Sequence, residues 1–302
     1  MRLHTARMGS RTNQSQSSRT PGFCRILNGL TLALLAALAP AGAARAQQPG
    51  PEASRRAVFD QLLDLNVRDG LVYYRALKAE RGGLDRYVAA LADEPVESLE
   101  RNAQVAFWIN AYNAIVLRTV ADHYPIPGRA HAYPARSIRQ IPGAFERTRH
   151  RVAGRSLTLD EIEQVVLAAF RDPRVFLALG RGALGGGRLR SEAYTAANLD
   201  RQLAEVASEC LSRSQCIQLD RSEVSMRISS IFSWRRNEFI EAYAGGASQL
   251  FDSRSPIERA VLAFVDPRLL AAEREFLKQN QFKIEYLPFD WSLNDLTGRG
   301  GR

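Results

Sequence analysis

Residues 103–122, AQVAFWINAYNAIVLRTVAD, decide how this chain is read. At 3.6 residues per turn the stretch makes about five helical turns. It contains neither Gly nor Pro, and Phe107, Trp108, Ile109, Ala111, Tyr112, Ile115, Val116 and Leu117 leave no wide polar face. A helix apolar on all sides is one enclosed by other elements. Asn110 and Asn113 interrupt it, three residues apart and therefore on one face. A buried amide without partners costs about 1–3 kcal/mol, so both side chains require fixed partners, and a site is expected where those partners lie.

Outward from this helix, amphipathic segments alternate with short apolar runs. A helix from Pro51 is expected to turn Val58, Leu62, Leu63 and Leu65 inward, followed by a short extended piece at Leu71–Tyr74. Gly82-Gly83 breaks the next helix, and another covers Leu84–Ala92. Pro125, Pro127, Gly128 and Pro134 mark an irregular connection of about twenty residues, a length more often functional or disordered than inert. Arg149–Leu157 reads as a hairpin around Ala153-Gly154. Thr158-Leu159-Asp160-Glu161 is a capping box opening a helix through Phe170, which Asp172-Pro173 stops. Val175–Leu179, VFLAL, is expected to be a short buried strand. Thr195 caps a helix over residues 196–211. Two short strands, IQLD and VSMRI, precede an amphipathic helix from Ser233 to Ala244 carrying Trp234, Phe239, Ile240 and Tyr243. Ser255-Pro256-Ile257-Glu258 is a strong helix start. A helix at Pro267–Gln279, a strand at Phe282–Leu287 and the segment Phe289–Asn294 complete the order. The fold class is therefore α+β, a helix-rich single domain around a buried central helix with a small sheet of short strands.

The first 46 residues carry Arg2, Arg7, Arg11, Arg19 and Arg25, then an apolar run from Ile26 to Leu38, then Ala44-Arg45-Ala46. Basic, apolar and small residues in that order are the layout of a secretory signal peptide, cleaved before Gln47. Translation starting at Met8 fits the layout as well as Met1 does, while Pro40 and Gly42 weigh against the alternative of an uncleaved anchor. The organisation expected is a signal peptide over 1–46, a linker over 47–57, a globular domain over 58–296 and a flexible tail over 297–302. A periplasmic or secreted location follows. Removing the leader takes away six Arg and no acids, so the +9 of the full chain falls to +3. Nucleic-acid binding and stable membrane insertion after cleavage are accordingly not expected, and nothing in the sequence specifies an oligomeric state. Cys210 and Cys216 remain after cleavage, and in an oxidising compartment their close spacing reads as a disulfide.

The segment with most chemical content is Gly180–Arg190, GRGALGGGRLR. It matches G-x-G-x-x-G, but Gly186, Gly187, Arg188 and Leu189 intervene where a helix should open, and Leu189 stands where a phosphate loop places Ser or Thr. No nucleotide cofactor is expected. Successive glycines can converge backbone N–H groups on an anion, and Arg181, Arg188 and Arg190 can fork onto its oxygens. The alternative is a loop hugging the central helix with its arginines paired to acids such as Glu192. His123, His131 and His150 lack ligand spacing, so no metal is expected. Among acid–base candidates Asp290, Glu192 and Tyr194 stand first, with Asp160 and Asp172 also available, and nothing in the spacing selects a pair. Trp291, like Tyr112 and Tyr194, is a pocket-lining candidate among residue types that are usually core.

AFWINAYNA (Ala106–Ala114), SLTLDEIE (Ser156–Glu163), the long run from Asp172 to Leu203, SSIFSW (Ser229–Trp234) and FDWSLN (Phe289–Asn294) together resemble the domain of unknown function 547 family, over roughly Phe59–Leu296. The resemblance implies no established activity. Many relatives carry Cys at the positions of Arg181 and Gly186, and often His at those of Phe176 and Gln164. This chain departs at all four, which shifts the expectation from thiol chemistry to anion recognition. The leading expectation is a non-covalent binding module for a small anionic ligand or a peptide carboxylate, held by Asn110, Asn113, Arg181, Gly182, Gly186, Arg188 and Arg190. The alternatives are a cysteine-independent hydrolase or transferase of the cell envelope, and a structural or interaction module without a small-molecule site. The leader reading predicts that chain recovered from the cell envelope begins at Gln47. Intact-mass measurement reads this directly, and a chain keeping Met1 or Met8 in the membrane fraction would indicate an anchor instead.

Overall fold

The computed structural model describes residues 51–297. The leader over 1–46, the first linker residues and residues 298–302 of the tail lie outside the described residues. The described part begins with α1 (Pro51–Asn66), a small antiparallel pair β1 (Val67–Arg68) and β2 (Leu71–Val72), then α2 (Tyr74–Ala79), α3 (Gly82–Ala90) and α4 (Arg101–His123). A connection with one 3₁₀ turn at Ile138–Gln140 leads to the hairpin β3 (His150–Val152) and β4 (Arg155–Leu157). Helix α5 (Leu159–Glu161) passes without a break into a π-helical stretch, Ile162–Leu167, and a 3₁₀ turn, Ala168–Phe170. Then follow α6 (Arg174–Leu177), α7 (Leu199–Ser212), β5 (Ile217–Asp220), β6 (Ser225–Ser229), α8 (Ser230–Trp234), α9 (Arg236–Tyr243), α10 (Pro256–Val265), α11 (Ala271–Lys278) and β7 (Lys283–Leu287). The sheet order is β5-β6-β7, antiparallel then parallel, with Met226 opposite both Leu219 and Ile284. The fold is helix-rich α+β. Among the described residues no helix is long and apolar enough to cross a membrane.

Helix α4 lies at the centre, with Ile109, Ala111, Tyr112, Ala114, Ile115 and Val120 wholly inaccessible. It packs against α2, α3, the π-helical stretch and the 3₁₀ turn entering α7. Three local expectations need correction. VFLAL is not a strand: Arg174–Leu177 is the short helix α6. The Asp172 carboxylate accepts from the Arg174 N–H at 3.1 Å and so starts a helical turn, and a short apolar run does not distinguish helix from strand by periodicity. In α1 the buried stripe is Phe59, Leu62 and Leu63, while Val58 and Leu65, seven apart, share a solvent-facing side. The expected helix from Ser233 is two helices meeting at Arg235, and Trp234 at the junction is exposed.

The two asparagines of α4 act as peptide mimics. The Asn110 Nδ2 donates to the Tyr194 carbonyl and its Oδ1 accepts from the Tyr194 N–H, both at 2.9 Å. The Asn113 Nδ2 donates to the Ala178 carbonyl at 3.1 Å, and its Oδ1 accepts from the Gly180 N–H at 3.0 Å. Each amide thus ties one irregular segment, on either side of the glycine loop, to the central helix. Replacing Asn113 by Ala leaves a buried carbonyl and a buried N–H unpaired. That should lower stability by about 1–3 kcal/mol, read as a lower urea midpoint at unchanged slope.

Candidate functional site

The glycine loop faces inward. The Leu184 N–H donates to the Ser292 carbonyl and the Gly185 N–H to that of Asp290, both at 2.8 Å, while those of Gly186 and Gly187 go to Ala183 and Leu179. Gly182 has φ +62°, and a Cβ there would press on Val116 at 3.3 Å. A Cβ on Gly186 would collide with the Gly180 carbonyl. These glycines therefore serve close backbone packing against α4 and the C-terminal segment. The arginines are paired: Arg188 with Asp69 at 2.5 Å, and Arg190 with Glu192 at 2.6 Å and Glu205 at 2.8 Å. Of the residues expected around a ligand, Asn110 and Asn113 have both amide groups bound to backbone, and Gly182 and Gly186 pack against α4 and the loop's own backbone. Arg188 and Arg190, ion-paired, border a separate cleft of about 310 Å³ with Asp69, Glu192 and Glu209.

Arg181 leads to a different site. It is 2 % exposed, with φ +51°. Its Nη2 donates to Glu163 Oε1 at 2.6 Å, its Nε to Glu163 Oε2 at 3.2 Å, and its Nη1 to the carbonyls of Phe176 and Leu179. The Arg235 Nη2 donates to the same Glu163 Oε1 at 3.1 Å, and the Tyr112 hydroxyl donates to Oε2 at 3.1 Å. Burial pushes the Glu163 carboxyl up, but the two guanidinium groups more than offset this and hold it below the ordinary range. Helix α4, the π-helical stretch, the glycine loop and the α8–α9 junction are joined through this one carboxylate.

Above this triad opens a cleft of about 360 Å³. Glu163, Arg181 and Arg235 form its charged floor, Phe145, Trp234 and Trp291 its apolar walls, and Arg139, Asp160 and Gln164 complete it. Arg139 comes from the irregular connection. Gln140 fixes that connection by accepting from the N–H groups of Arg129 and Ala130 at 2.8 and 2.7 Å and donating to the Ala130 carbonyl at 2.8 Å. The Arg139 guanidinium lies 4.6 Å from the Phe145 ring centre and 4.5 Å from that of Trp291, and pairs with Glu146. Trp291 is delivered by the segment that the glycine loop binds. Asp160 follows the Thr158 cap, and its N–H donates to the Phe145 carbonyl at 3.0 Å. Burial, then repulsion from Glu146, raises its carboxyl, with Arg139 acting in the opposite sense. The Nε donors of Arg139 and Arg235 are buried without a partner.

None of Asp290, Glu192 and Tyr194 lines this cleft. Asp290 accepts from the Ser292 N–H at 2.9 Å. Burial acts upward on the Glu192 carboxyl, and Gln202 and Arg190 bring it below the ordinary range, the reverse of what a base working near neutrality needs. The Tyr194 hydroxyl is buried without a partner and raised by burial. Cys210 and Cys216 are at disulfide distance, their Cα atoms 5.3 Å apart. Between them Arg213 donates to the carbonyls of Gly186 and Leu184 at 3.0 and 2.8 Å, holding the glycine loop from behind. Among the described residues no group of three or more His, Cys, Asp or Glu is arranged to hold a metal ion.

The family described as protein of unknown function, DUF547, matches residues 96–211. These residues form a DUF547 domain. The match runs from the turn before α4 to the end of α7, so it contains Arg139, Asp160, Glu163, Gln164 and Arg181 but not Arg235 or Trp291. Of the DUF547 positions where the resemblance implies Cys or His, those of Arg181 and Gln164 line the cleft. That of Phe176 lies under Arg235, whose guanidinium is 4.0 Å from its ring centre. Comparison with curated proteins and with solved structures finds no match.

Glu163, missed in the sequence reading, left one signal there: an acid in register with Leu159, Ile162 and Val166 on the apolar side of its helix. Glu163→Gln removes the charge that both buried arginines face, which should cost about 3–5 kcal/mol. A carboxylate whose folded pKa is depressed stabilises the fold above its unfolded pKa and loses that stabilisation as pH falls through its folded value. Urea unfolding between neutral and acid pH should therefore show a shallower acid loss in Glu163→Gln than in the parent, from a lower starting stability.

Proposed function

We propose that the cleft binds, without covalent chemistry, a small ligand with an oxyanion such as a carboxylate on a flat apolar body. The Arg139 guanidinium, which lines the cleft and is paired with the half-exposed Glu146, carries this reading. A ligand oxygen facing that guanidinium would gain a charge-assisted bond. Phe145, Trp234 and Trp291 offer ring faces to the rest of such a molecule. The site keeps the anion chemistry expected of the glycine loop but moves it to the far side of Arg181. The domain is further proposed to act outside the cytoplasm. The leader composition supports this, as does the Cys210–Cys216 pair, which belongs in an oxidising compartment.

Indole-3-acetate is a suitable probe, and its binding should appear as heat in titration calorimetry. Arg139→Gln removes a guanidinium whose partner Glu146 is half exposed, so the fold should persist while affinity falls about tenfold, or 1.4 kcal/mol. Trp291→Leu should weaken binding similarly. Equal affinity of the parent and Arg139→Gln would remove the reading.

A further inference from the structure

We propose that the ligand of this cleft carries an ammonium group beside its oxyanion, that is, a free amino acid with an aromatic or apolar side chain, and that Asp160 is the residue selecting for the ammonium. This rests on the oxyanion reading above and deepens it. The two acids lining the cleft have opposite fates. Glu163 accepts from Arg181, Arg235 and Tyr112. The Asp160 carboxylate lines the same cleft with no hydrogen-bond or ion-pair partner among the described residues. It is also held in place, because the Thr158 capping box fixes its turn and its own N–H is tied to the Phe145 carbonyl.

Arg139, Arg181 and Arg235 around the cleft face Glu146, Glu163 and Asp160, three positive charges against three negative ones. Asp160 is nonetheless the one acid of the cleft lining that no arginine pairs with directly, beside tryptophan faces that also attract cations. Burial and the two neighbouring acids raise its carboxyl, against the pull of Arg139 and Arg235. An α-ammonium carboxylate, neutral overall like the cleft lining, would offer oxygens to the Arg139 guanidinium and N–H groups to Asp160. Its side chain would rest on Trp234 and Trp291.

Three probes separate the contributions: phenylalanine, 3-phenylpropionate, which lacks the ammonium, and phenethylamine, which lacks the carboxylate. Calorimetry at neutral pH should show phenylalanine binding at least about tenfold tighter than 3-phenylpropionate, with Asp160→Asn abolishing the preference. Because Asp160 has no protein partner, this variant should melt like the parent. Phenylalanine affinity should fall on acidification, beginning above the ordinary Asp range, and in Asp160→Asn this fall should be absent. Equal binding of phenylalanine and 3-phenylpropionate to the parent overturns the inference and leaves the oxyanion reading standing, as does a preference that survives in Asp160→Asn. Phenethylamine binding as tightly as phenylalanine, and sensitive to Asp160→Asn, keeps Asp160 as the ammonium acceptor and removes the oxyanion reading. No binding of any of the three overturns both.

Discussion

A carboxylate on the apolar side of a helix must be neutralised or it will not be buried, and Glu163 sets that requirement for the whole domain. Two guanidinium groups and a tyrosine hydroxyl meet it, each from a different element. The consequences spread from there. Arg181 adopts a left-handed backbone, costing about 1–3 kcal/mol, because its side chain must reach Glu163 from the loop. Arg235 sits where α8 ends and α9 begins, its backbone outside the helical region. The helix carrying Glu163 is π-helical from Ile162 to Leu167, a local form that recurs at functional sites.

The same pairing shapes the cleft. Two of the arginines lining it are committed to Glu163 and the third to Glu146, so none is left for Asp160. The glycine loop, which in isolation looks like an anion cradle, spends its N–H groups on the protein and grips the segment that presents Trp291. Its contribution to the site is thus indirect. It seats an aromatic wall and brings Arg181 under the floor.

Much of the architecture was legible in the chain itself. The enclosure of α4, the capping boxes at Thr158 and Ser255, the hairpin over residues 149–157 and the Cys210–Cys216 proximity follow from local pattern, and the structure has them. Local pattern failed where two states share one signature. VFLAL is as apolar as a buried strand, yet Asp172 and Pro173 turn it into a helix. Trp234 belongs by composition to a buried face, yet the break at Arg235 turns it to solvent. Of the anion-site residues expected from the sequence, Arg181 alone lines the cleft, because an arginine's partners come from segments far along the chain.

Sequence alone determined what had to be satisfied: a central apolar helix with two amides needing partners, helix starts fixed by their caps, and a glycine-rich segment that would lie close to other backbone. These are short-range matters, set by periodicity, backbone freedom and hydrogen-bond count. Tertiary structure decided how each demand was met. It gave Asn110 and Asn113 to backbone groups, Arg181 and Arg235 to Glu163, and the glycine loop to the C-terminal segment. It also left Asp160 at the edge of one cleft without a direct partner. Charge and hydrogen-bond pairing depends on distance in space, and residues 139, 160, 163, 181, 235 and 291 acquire such distances only when the chain is folded.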